Sequence, residues 1–428
     1  MSEDFTPADA TKAAEALRAA EAAGTPGHAA PGTGTGKTEP AEPAGSAAPT
    51  TESASTAEPP TTASAAWVAP ASPAWATDPT TGPAGPDGPT GSAADTARAE
   101  RGRKGRIVFF VFMALLMQLA FALSYTGAMH APQRPHRMAV GVVAPAAIAQ
   151  EVQKAFDSQG PLFSIKTEAS MDAAMKAVKN HSVYGAYAPG AAGEDTLLVT
   201  TAGGPPAARA VYMAFNQVAQ AQQHTLAVQD VVPAHRGDAE GLVPFYLVIS
   251  WTVGGYLAST LVGLMGGMNS RTPRLAGERI ALLAGYSILG GLGGTLIVHT
   301  ILGFLGGNWW LQALIGTLIV FCVSVFADGL QSVLGLVGTG IVIGLFVILG
   351  NPSGAGPWPR EMMPAFWRTI GPWLPNYQGT NAVRGVAYYG SHGLATALWV
   401  FAAYAVIGIV LSLAFAGRDN PVLRLSEH

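Results

Sequence analysis

The residue groupings that most often mark chemistry are sparse in this sequence. The run Gly34-Thr35-Gly36-Lys37-Thr38 matches the end of a phosphate-binding P-loop, but the full pattern requires glycine at position 31, which is Pro31. The low-complexity flanks predict neither the strand nor the helix that such a loop needs to present its amides to a phosphate. We therefore predict no nucleotide site in this chain.

Other groupings typical of catalysis or metal binding are also weak. The nine His residues are scattered without an HExxH run, there is no GxSxG motif, and Cys322 is the single cysteine. Four polar residues between 230 and 240 could form a metal site at the base of the outer domain, but a polar linker before a membrane helix is the better interpretation. They are Asp230, His235, Asp238 and Glu240. The sequence thus predicts no enzyme activity and no resident cofactor or metal.

Two polar residues, Gln118 and His299, interrupt long apolar stretches. A polar side chain at membrane depth is costly, and it usually faces protein or water. Both residues are therefore candidates for lining a substrate path. The alternative is a hydrogen bond between helices or, for His299, a position near the outer headgroups.

The segment 351–393 has the most distinctive composition, since three Trp lie among many Pro. Indole rings favour the headgroup boundary, where the ring is sheltered and the N–H stays hydrated. Proline prevents one continuous helix, so short broken helices at the outer surface are expected. Met363, Phe366 and Trp367 are the candidate gate residues beside the exit of a substrate path.

The overall composition is that of a membrane protein. The sequence has 24 Lys or Arg and 27 Asp or Glu, so that 12% of its residues are charged, against about 25% in soluble domains. Hydrophobic residues make up 49%. A net charge of −3 gives no support for a nucleic-acid partner.

Six apolar stretches are long enough to cross a membrane. The first lacks charged residues and would form about 35 Å of helix, against a hydrocarbon core of about 30 Å. We expect Asp328-Gly329 to separate the fourth span from the fifth. The spans are 107–129, 243–267, 280–303, 309–327, 331–350 and 394–416, so that the last five form a membrane domain over 242–417.

Basic loops set the expected orientation. Residues 101–106 hold four cations directly before the first span, and the loop 268–279 holds three Arg against one Glu. The positive-inside rule places both in the cytoplasm, together with the N-terminal tail and residues 418–428. Three Arg in the outer segment 351–393 run against this rule, because a single Glu opposes them. They are Arg360, Arg368 and Arg384.

Residues 130–241 predict a small extracytoplasmic α/β domain between the first two spans. Five strand-like segments alternate with three segments of helical spacing in the order βαβαββαβ. This order predicts a mixed sheet covered by helices. The fold class is therefore a mostly α membrane protein with six transmembrane helices and an inserted α/β domain.

The composition of residues 1–100 predicts a disordered cytoplasmic tail. Ala, Pro, Thr, Ser, Gly and Glu dominate this stretch, which has no Ile and a single Leu, Leu17. Such a composition cannot bury enough apolar surface to offset its chain entropy. Good helix formers in 7–23 predict a transient helix, and docking to a partner is the alternative role for this tail.

Glycines one helical turn apart predict close approach between membrane helices, because they leave room for the neighbouring backbone. The pairs are Gly263/Gly267, Gly290/Gly294, Gly303/Gly307 and Gly340/Gly344. They indicate a packed bundle and do not specify a dimer.

This arrangement resembles type-2 ABC exporter permeases, and most closely the phage infection protein branch and its bacterial relatives. The shared features are a basic-flanked helix, an outer α/β domain, five further helices and a Pro-rich hairpin before the last. The resemblance covers roughly residues 105–417. The runs that carry it are 351–354 (NPSG), 363–367 (MPAFW), 371–376 (GPWLPN), 381–384, 388–390, and in the outer domain 173–179 and 183–187.

The resemblance implies a bacterial inner-membrane permease that works among membrane lipids as a homodimer or heterodimer. The substrate path would lie between protomers, with the segment 351–393 at its outer exit. Energy would come from a separate ABC ATPase, if at all. The implied function is to assist export of an amphipathic or envelope-related compound. The alternative is a non-transporting scaffold or receptor in cell-envelope assembly.

Overall fold

The structure is a computed structural model that describes residues 11–15, 93–128, 134–158, 160–190 and 193–418. The P-loop-like run 34–38, most of the N-terminal tail and residues 419–428 lie outside these ranges. Helix α1 spans Ala93–Ala128 as one element of 36 residues. The α/β region (residues 134–241) and a group of apolar helices follow it along the chain.

The α/β region has the order of elements that the sequence predicts. Its sheet runs β2-β1-β3-β4-β5, and all neighbouring strands are parallel except β3 and β4. The elements are β1 (Met138–Val143), α2 (Ala146–Asp157), β2 (Phe163–Glu168), α3 (Met171–Lys179), β3 (Gly185–Ala188), β4 (Glu194–Val199), α4 (Pro205–Gln222) and β5 (Thr225–Asp230).

The period-two pattern of β1 explains why helices cover both faces of this sheet. Val140 and Val142 pack in the cluster that holds residues of α2 and α4. Ala139 and Val143 point the other way, into the cluster that holds Ala174 and Val178 of α3. Alternate side chains of a strand face opposite sides of a sheet, so one apolar strand supplies two cores.

The apolar helices pack around a central one, α7 (Trp309–Leu334), which contacts α5, α6 and α11 extensively. In the most apolar 18-residue stretch of this helix, 67% of the residues are buried. The other elements are α5 (Val243–Gly266), α6 (Pro273–Thr295, with a π-helical extension Leu296–Ile301), α8 (Leu336–Ile343, with a π-helical extension Gly344–Leu349), α9 (Ala365–Ile370), α10 (Pro375–Tyr388) and α11 (Leu394–Phe415).

Within the described ranges, five helices are long and apolar enough to cross a membrane. They are Ile107–Ala128, Val243–Gly266, Pro273–Ile301, Trp309–Leu334 and Leu394–Phe415. The predicted fifth span, 331–350, corresponds to the shorter helix Leu336–Leu349, built from an α-helix of eight residues and a π-helical segment of six. At about 1.5 Å per residue it is shorter than the hydrocarbon core of about 30 Å.

The expected break at Asp328-Gly329 is wrong, because α7 continues to Leu334 and turns at Gly335, where φ is +58°. Asp328 is fully buried. Its Oδ1 lies 2.6 Å from Arg279 Nε, and its other carboxylate oxygen accepts a hydrogen bond from Ser412. These partners from α6 and α11 stabilise the carboxylate, so the helix need not end there.

The loops that connect the apolar helices gather at two opposite ends. At one end, Ser270 O accepts a hydrogen bond from Gly417 N at 2.8 Å, which joins the α5–α6 loop to the end of α11. At the other end, Gly307 packs on the backbone of Val386, and Tyr125 of α1 accepts a hydrogen bond from Asn351 Nδ2 at 2.9 Å. The helices therefore alternate in direction, which is compatible with either orientation in a membrane.

Residues 11–15 are helical and lie against the α/β region. Ala13 and Ala14 are buried in its core, and Gln222 Nε2 donates a hydrogen bond to Ala14 O at 3.1 Å. A helix is what the helix formers in 7–23 predict. If Ile107–Ala128 crosses a membrane, however, residues 11–15 and the α/β region lie on opposite sides of it. This contact and that crossing exclude each other within one chain.

We expect the crossing to prevail in a bilayer. Burying two alanine methyl groups stabilises by about 1–2 kcal/mol. Each Leu, Ile, Val or Phe of Ile107–Ala128 contributes about 0.3–0.6 kcal/mol on insertion, and their sum is larger. A membrane-impermeant thiol reagent on intact cells should therefore label Ser158→Cys and spare Lys12→Cys and Arg274→Cys.

All three positions are exposed, and the native Cys322 is buried and gives no background. Ser270 is buried and is a poor probe of the basic loop. Labelling of Lys12→Cys together with Ser158→Cys would contradict the crossing and would place the docked tail outside.

Candidate functional site

The segment 351–393 folds into short helices separated by prolines, as its composition predicts. A 3-10 turn at Arg360–Met362 follows Pro359, α9 follows Pro364, and α10 begins at Pro375. Proline suits a first helical position, since its missing N–H would have no partner there. Helix α10 then lies against α5, α7 and α11, so this segment is part of the helical body.

Helix α10 buries polar side chains among apolar helices. Asn376 Nδ2 donates to Phe346 O at 3.2 Å and to Asn351 Oδ1 at 2.8 Å. Arg384 is 3% exposed, and its Nη2 donates to Gly241 O at 3.1 Å and reaches Ala355 O at 3.5 Å. Buried polar groups that are bonded in this way fix a position strongly, because any shift leaves them unpaired.

The Arg residues that contradict the positive-inside rule have structural roles here. Arg384 is bound to backbone carbonyls, and Arg360 Nε donates to Arg368 O at 2.9 Å. A cation held by carbonyls within a folded segment need not act as a topology signal. The positive charge of this segment therefore does not argue against the predicted outer position, which stays a prediction.

Side-chain hydrogen bonds join the α/β region to this segment at three points. Tyr184 donates to Glu361 Oε2 at 2.7 Å. Thr200 Oγ1 and the hydroxyl of Tyr389 are 2.7 Å apart, and Tyr388 donates to Asp238 Oδ2 at 2.9 Å. Burial and the neighbouring Glu361 carboxylate raise the pKa of Tyr184, so its hydroxyl keeps the proton that it donates. The two parts therefore meet through specific polar contacts.

An open pocket of about 320 Å³ lies at this junction. Its lining combines amide, phenol, imidazole and guanidinium groups, and its principal residues are Asn180, His181, Arg360, Tyr377, Asn381 and Tyr389. Such groups can hydrogen-bond a polar headgroup and attract negative charge. The rim also includes Thr396, an exposed residue at the start of α11.

His181 is the central side chain of this junction. Its ring stacks on Tyr389, with centroids 4.2 Å apart and planes 5° from parallel. Burial, with a smaller contribution from the Arg384 charge, lowers the pKa of His181 to about 3. The imidazole is therefore neutral at physiological pH. Its buried Nε2 has no hydrogen-bond partner within the described part of the chain.

Two of the possible metal ligands between 230 and 240, Asp230 and Asp238, accept hydrogen bonds from nearby backbone and side-chain groups. Asp230 accepts hydrogen bonds from Thr201 at the amide and the hydroxyl. Asp238 accepts from Val243 N at 2.8 Å, so that it caps the entry to α5, and burial raises the pKa of Asp238. In the ranges that the structure describes, no group of three or more His, Cys, Asp or Glu is placed to hold a metal ion.

The predicted path and gate residues occupy several different environments. Gln118 is exposed on α1, and His299 Nδ1 lies 3.2 Å from Gln312 Oε1 of α7. Met363 and Trp367 are buried against Ala128 at the end of α1. Phe366 is 56% exposed. Its ring contacts that of Trp367, with centroids 4.9 Å apart. The structure thus brings Met363, Phe366 and Trp367 together, and the roles of all five residues in a substrate path stay predictions.

Sequence reasoning missed His181 and Tyr389 as site residues. They come from the α/β region and from the end of α10, far apart in the sequence. The only available signal was the density of hydroxyl and amide residues between 376 and 389.

Comparisons with family models, with curated proteins and with solved structures find no match to this chain. The geometry of the junction is therefore what supports a function, together with the resemblance in the sequence.

Proposed function

We propose that this chain is a permease-like integral membrane protein that assists export of an amphipathic or envelope-related compound. The proposed assembly is a homodimer or heterodimer in a bacterial inner membrane, of the type-2 ABC exporter class. Energy would come from a separate ATPase, if at all. The five apolar helices indicate a multi-pass membrane protein, which is the setting that this proposal needs.

The polar pocket at the end of the helical body is the observation that carries the proposal. Asn381 and Tyr377 of α10 line it together with His181 of the α/β region. Polar groups that open at one end of an apolar bundle suit the passage or release of a compound with a polar head. The hydrogen bonds around Glu361 and Tyr389 hold the α/β region over this opening.

Occlusion of this pocket tests the proposal. Thr396→Trp adds an indole at an exposed lining position, whereas the adjacent Ala395→Trp adds the same group outside the lining. We expect Thr396→Trp to lower efflux of amphipathic dyes by about tenfold at equal abundance, equivalent to about 1.4 kcal/mol of lost binding. Ala395→Trp should match the wild type. The measurement is dye efflux from resting cells that lack the gene and carry each variant.

Two outcomes contradict the proposal, the first its transport function and the second the role of the pocket. If deletion of the gene leaves efflux of every dye in the panel unchanged but weakens the envelope, the scaffold or receptor function is favoured. If deletion lowers efflux but both Trp variants restore it fully, the pocket is not part of the path. Trp367 is a less suitable target, because it is buried against Ala128 and its loss would also disturb packing.

A further inference from the structure

A second cavity lies at the opposite end of the helical body, between α5 and α6. It is an open groove of about 480 Å³. Val262, Leu275 and Leu282 form the apolar part of its lining. The charged residues of its lining, which we call its head, are Arg271, Glu278 and Arg279. The junction pocket described above lies at the other end of the helices, so the groove is a separate feature.

The head of the groove carries one positive charge that the protein does not offset. Arg279 is paired with Asp328, and Glu278 is paired with the exposed Arg274 at 3.1 Å. Arg271 forms no ion pair with any residue that the structure describes. Helix α6 starts two residues later, and the positive end of its dipole adds to this potential.

Arg279 is held in place by other groups of the protein. Its side chain is 7% exposed, and Nη1 donates to Gly267 O at 2.9 Å. Its Nη2 has no hydrogen-bond partner among the described residues. Nη2 is buried beside Gly263, outside the lining of the groove, so Arg271 is the cation that a molecule in the groove can reach.

The body of the groove is suited to hydrocarbon. Leu275 is 46% exposed and Leu282 is 61% exposed, and both belong to a helix of membrane-spanning length. Exposed apolar side chains on such a helix face acyl chains. The groove therefore offers an anion site and an apolar surface in continuity, which is the pattern of a phospholipid.

We propose that this groove binds an anionic phospholipid of the cytoplasmic leaflet. Its phosphate pairs with Arg271, and an acyl chain lies along Val262, Leu275 and Leu282. The same phosphate chemistry could come from a soluble phosphate ester, which lacks the acyl chain. This inference rests on the membrane location of the chain and is independent of transport.

The test uses the purified full-length protein in neutral detergent. Phosphatidylglycerol and phosphatidylcholine are titrated separately, and bound lipid is counted by native mass spectrometry. We expect phosphatidylglycerol to bind more tightly than phosphatidylcholine. Arg271→Gln should weaken phosphatidylglycerol binding about fivefold, as for loss of one cation near a membrane surface. Arg209→Gln is the matched control and should leave binding unchanged, since Arg209 is an exposed residue of α4 in the α/β region and does not line the groove.

A second pair of variants tests the apolar part of the groove. A side chain at Gly266 would enter open space on the groove side, and one at Gly285 would also meet nothing within 4 Å. Gly266→Phe should therefore displace the lipid without disturbing the fold, and Gly285→Phe should not.

Two results would overturn the inference. One is equal phosphatidylglycerol binding by the wild type, Arg271→Gln and Gly266→Phe. The other is displacement of bound phosphatidylglycerol by glycerol phosphate as effectively as by added lipid at equal concentration. This result would make the groove a site for a soluble phosphate.

Discussion

Removal of the Asp328 carboxylate should cause one of the largest losses of stability of any single substitution in this protein. Asp328→Ala leaves Arg279 buried without its counter-ion, and Ser412 loses its acceptor. Breaking a buried pair by removing one partner typically costs about 3–5 kcal/mol. The free energy of unfolding, measured by denaturant titration in mixed micelles with circular dichroism, should fall by this amount.

The double variant Arg279→Met/Asp328→Leu is the control for this prediction. It removes both charges and fills the space with apolar groups, so that no uncompensated charge remains. We expect its free energy of unfolding to lie within about 1 kcal/mol of the wild type, because apolar replacements of a buried pair are often neutral or stabilising. If the double variant loses as much as the sum of the two single variants, the pair is not the reason for the loss.

The substitution Gly408→Ala should also lower the free energy of unfolding by a large amount. Its Cβ would lie 2.4 Å from Val325 O and 2.5 Å from Phe326 N. These are backbone atoms of α7 and cannot move aside as a side chain can. Insertion of a group into a packed contact typically costs about 1–3 kcal/mol, and we expect Gly408→Ala to lie at or above the upper end of this range.

Gly285→Ala is the matched control, because a Cβ there would meet nothing within 4 Å. Alanine favours a helix over glycine by about 0.5–1 kcal/mol, so this variant should be as stable as the wild type or slightly more stable. The same denaturant titration measures both variants. Equal stability of Gly408→Ala and Gly285→Ala would mean that α7 and α11 are not in such close contact.

Local patterns predicted much of this fold. The strands and helices of the α/β region have the expected order. Period-two and helical spacing are properties of neighbouring residues, so they are visible before any tertiary contact exists. The prolines of 351–393 predicted short helices for the same reason, because each acts on its own backbone.

The contacts between helices could be predicted from the sequence much less well. Gly303 and Gly307 have the spacing of a helix-packing pair, yet both have positive φ and lie in the loop after α6. The close approach of α7 and α11 instead uses Gly329 and Gly408, which lie on different helices. Spacing along one helix cannot identify a contact whose other half comes from a distant part of the chain.

The sequence by itself determined that the chain is rich in apolar helices, that an α/β region precedes most of them, and that prolines divide the segment before the last helix. Only the tertiary structure decided that Asp328 is paired and buried, and that His181 stacks on Tyr389 above a polar pocket. The physical reason is the same in both cases. Whether a polar side chain is solvated, paired or part of a site depends on groups that folding brings to it.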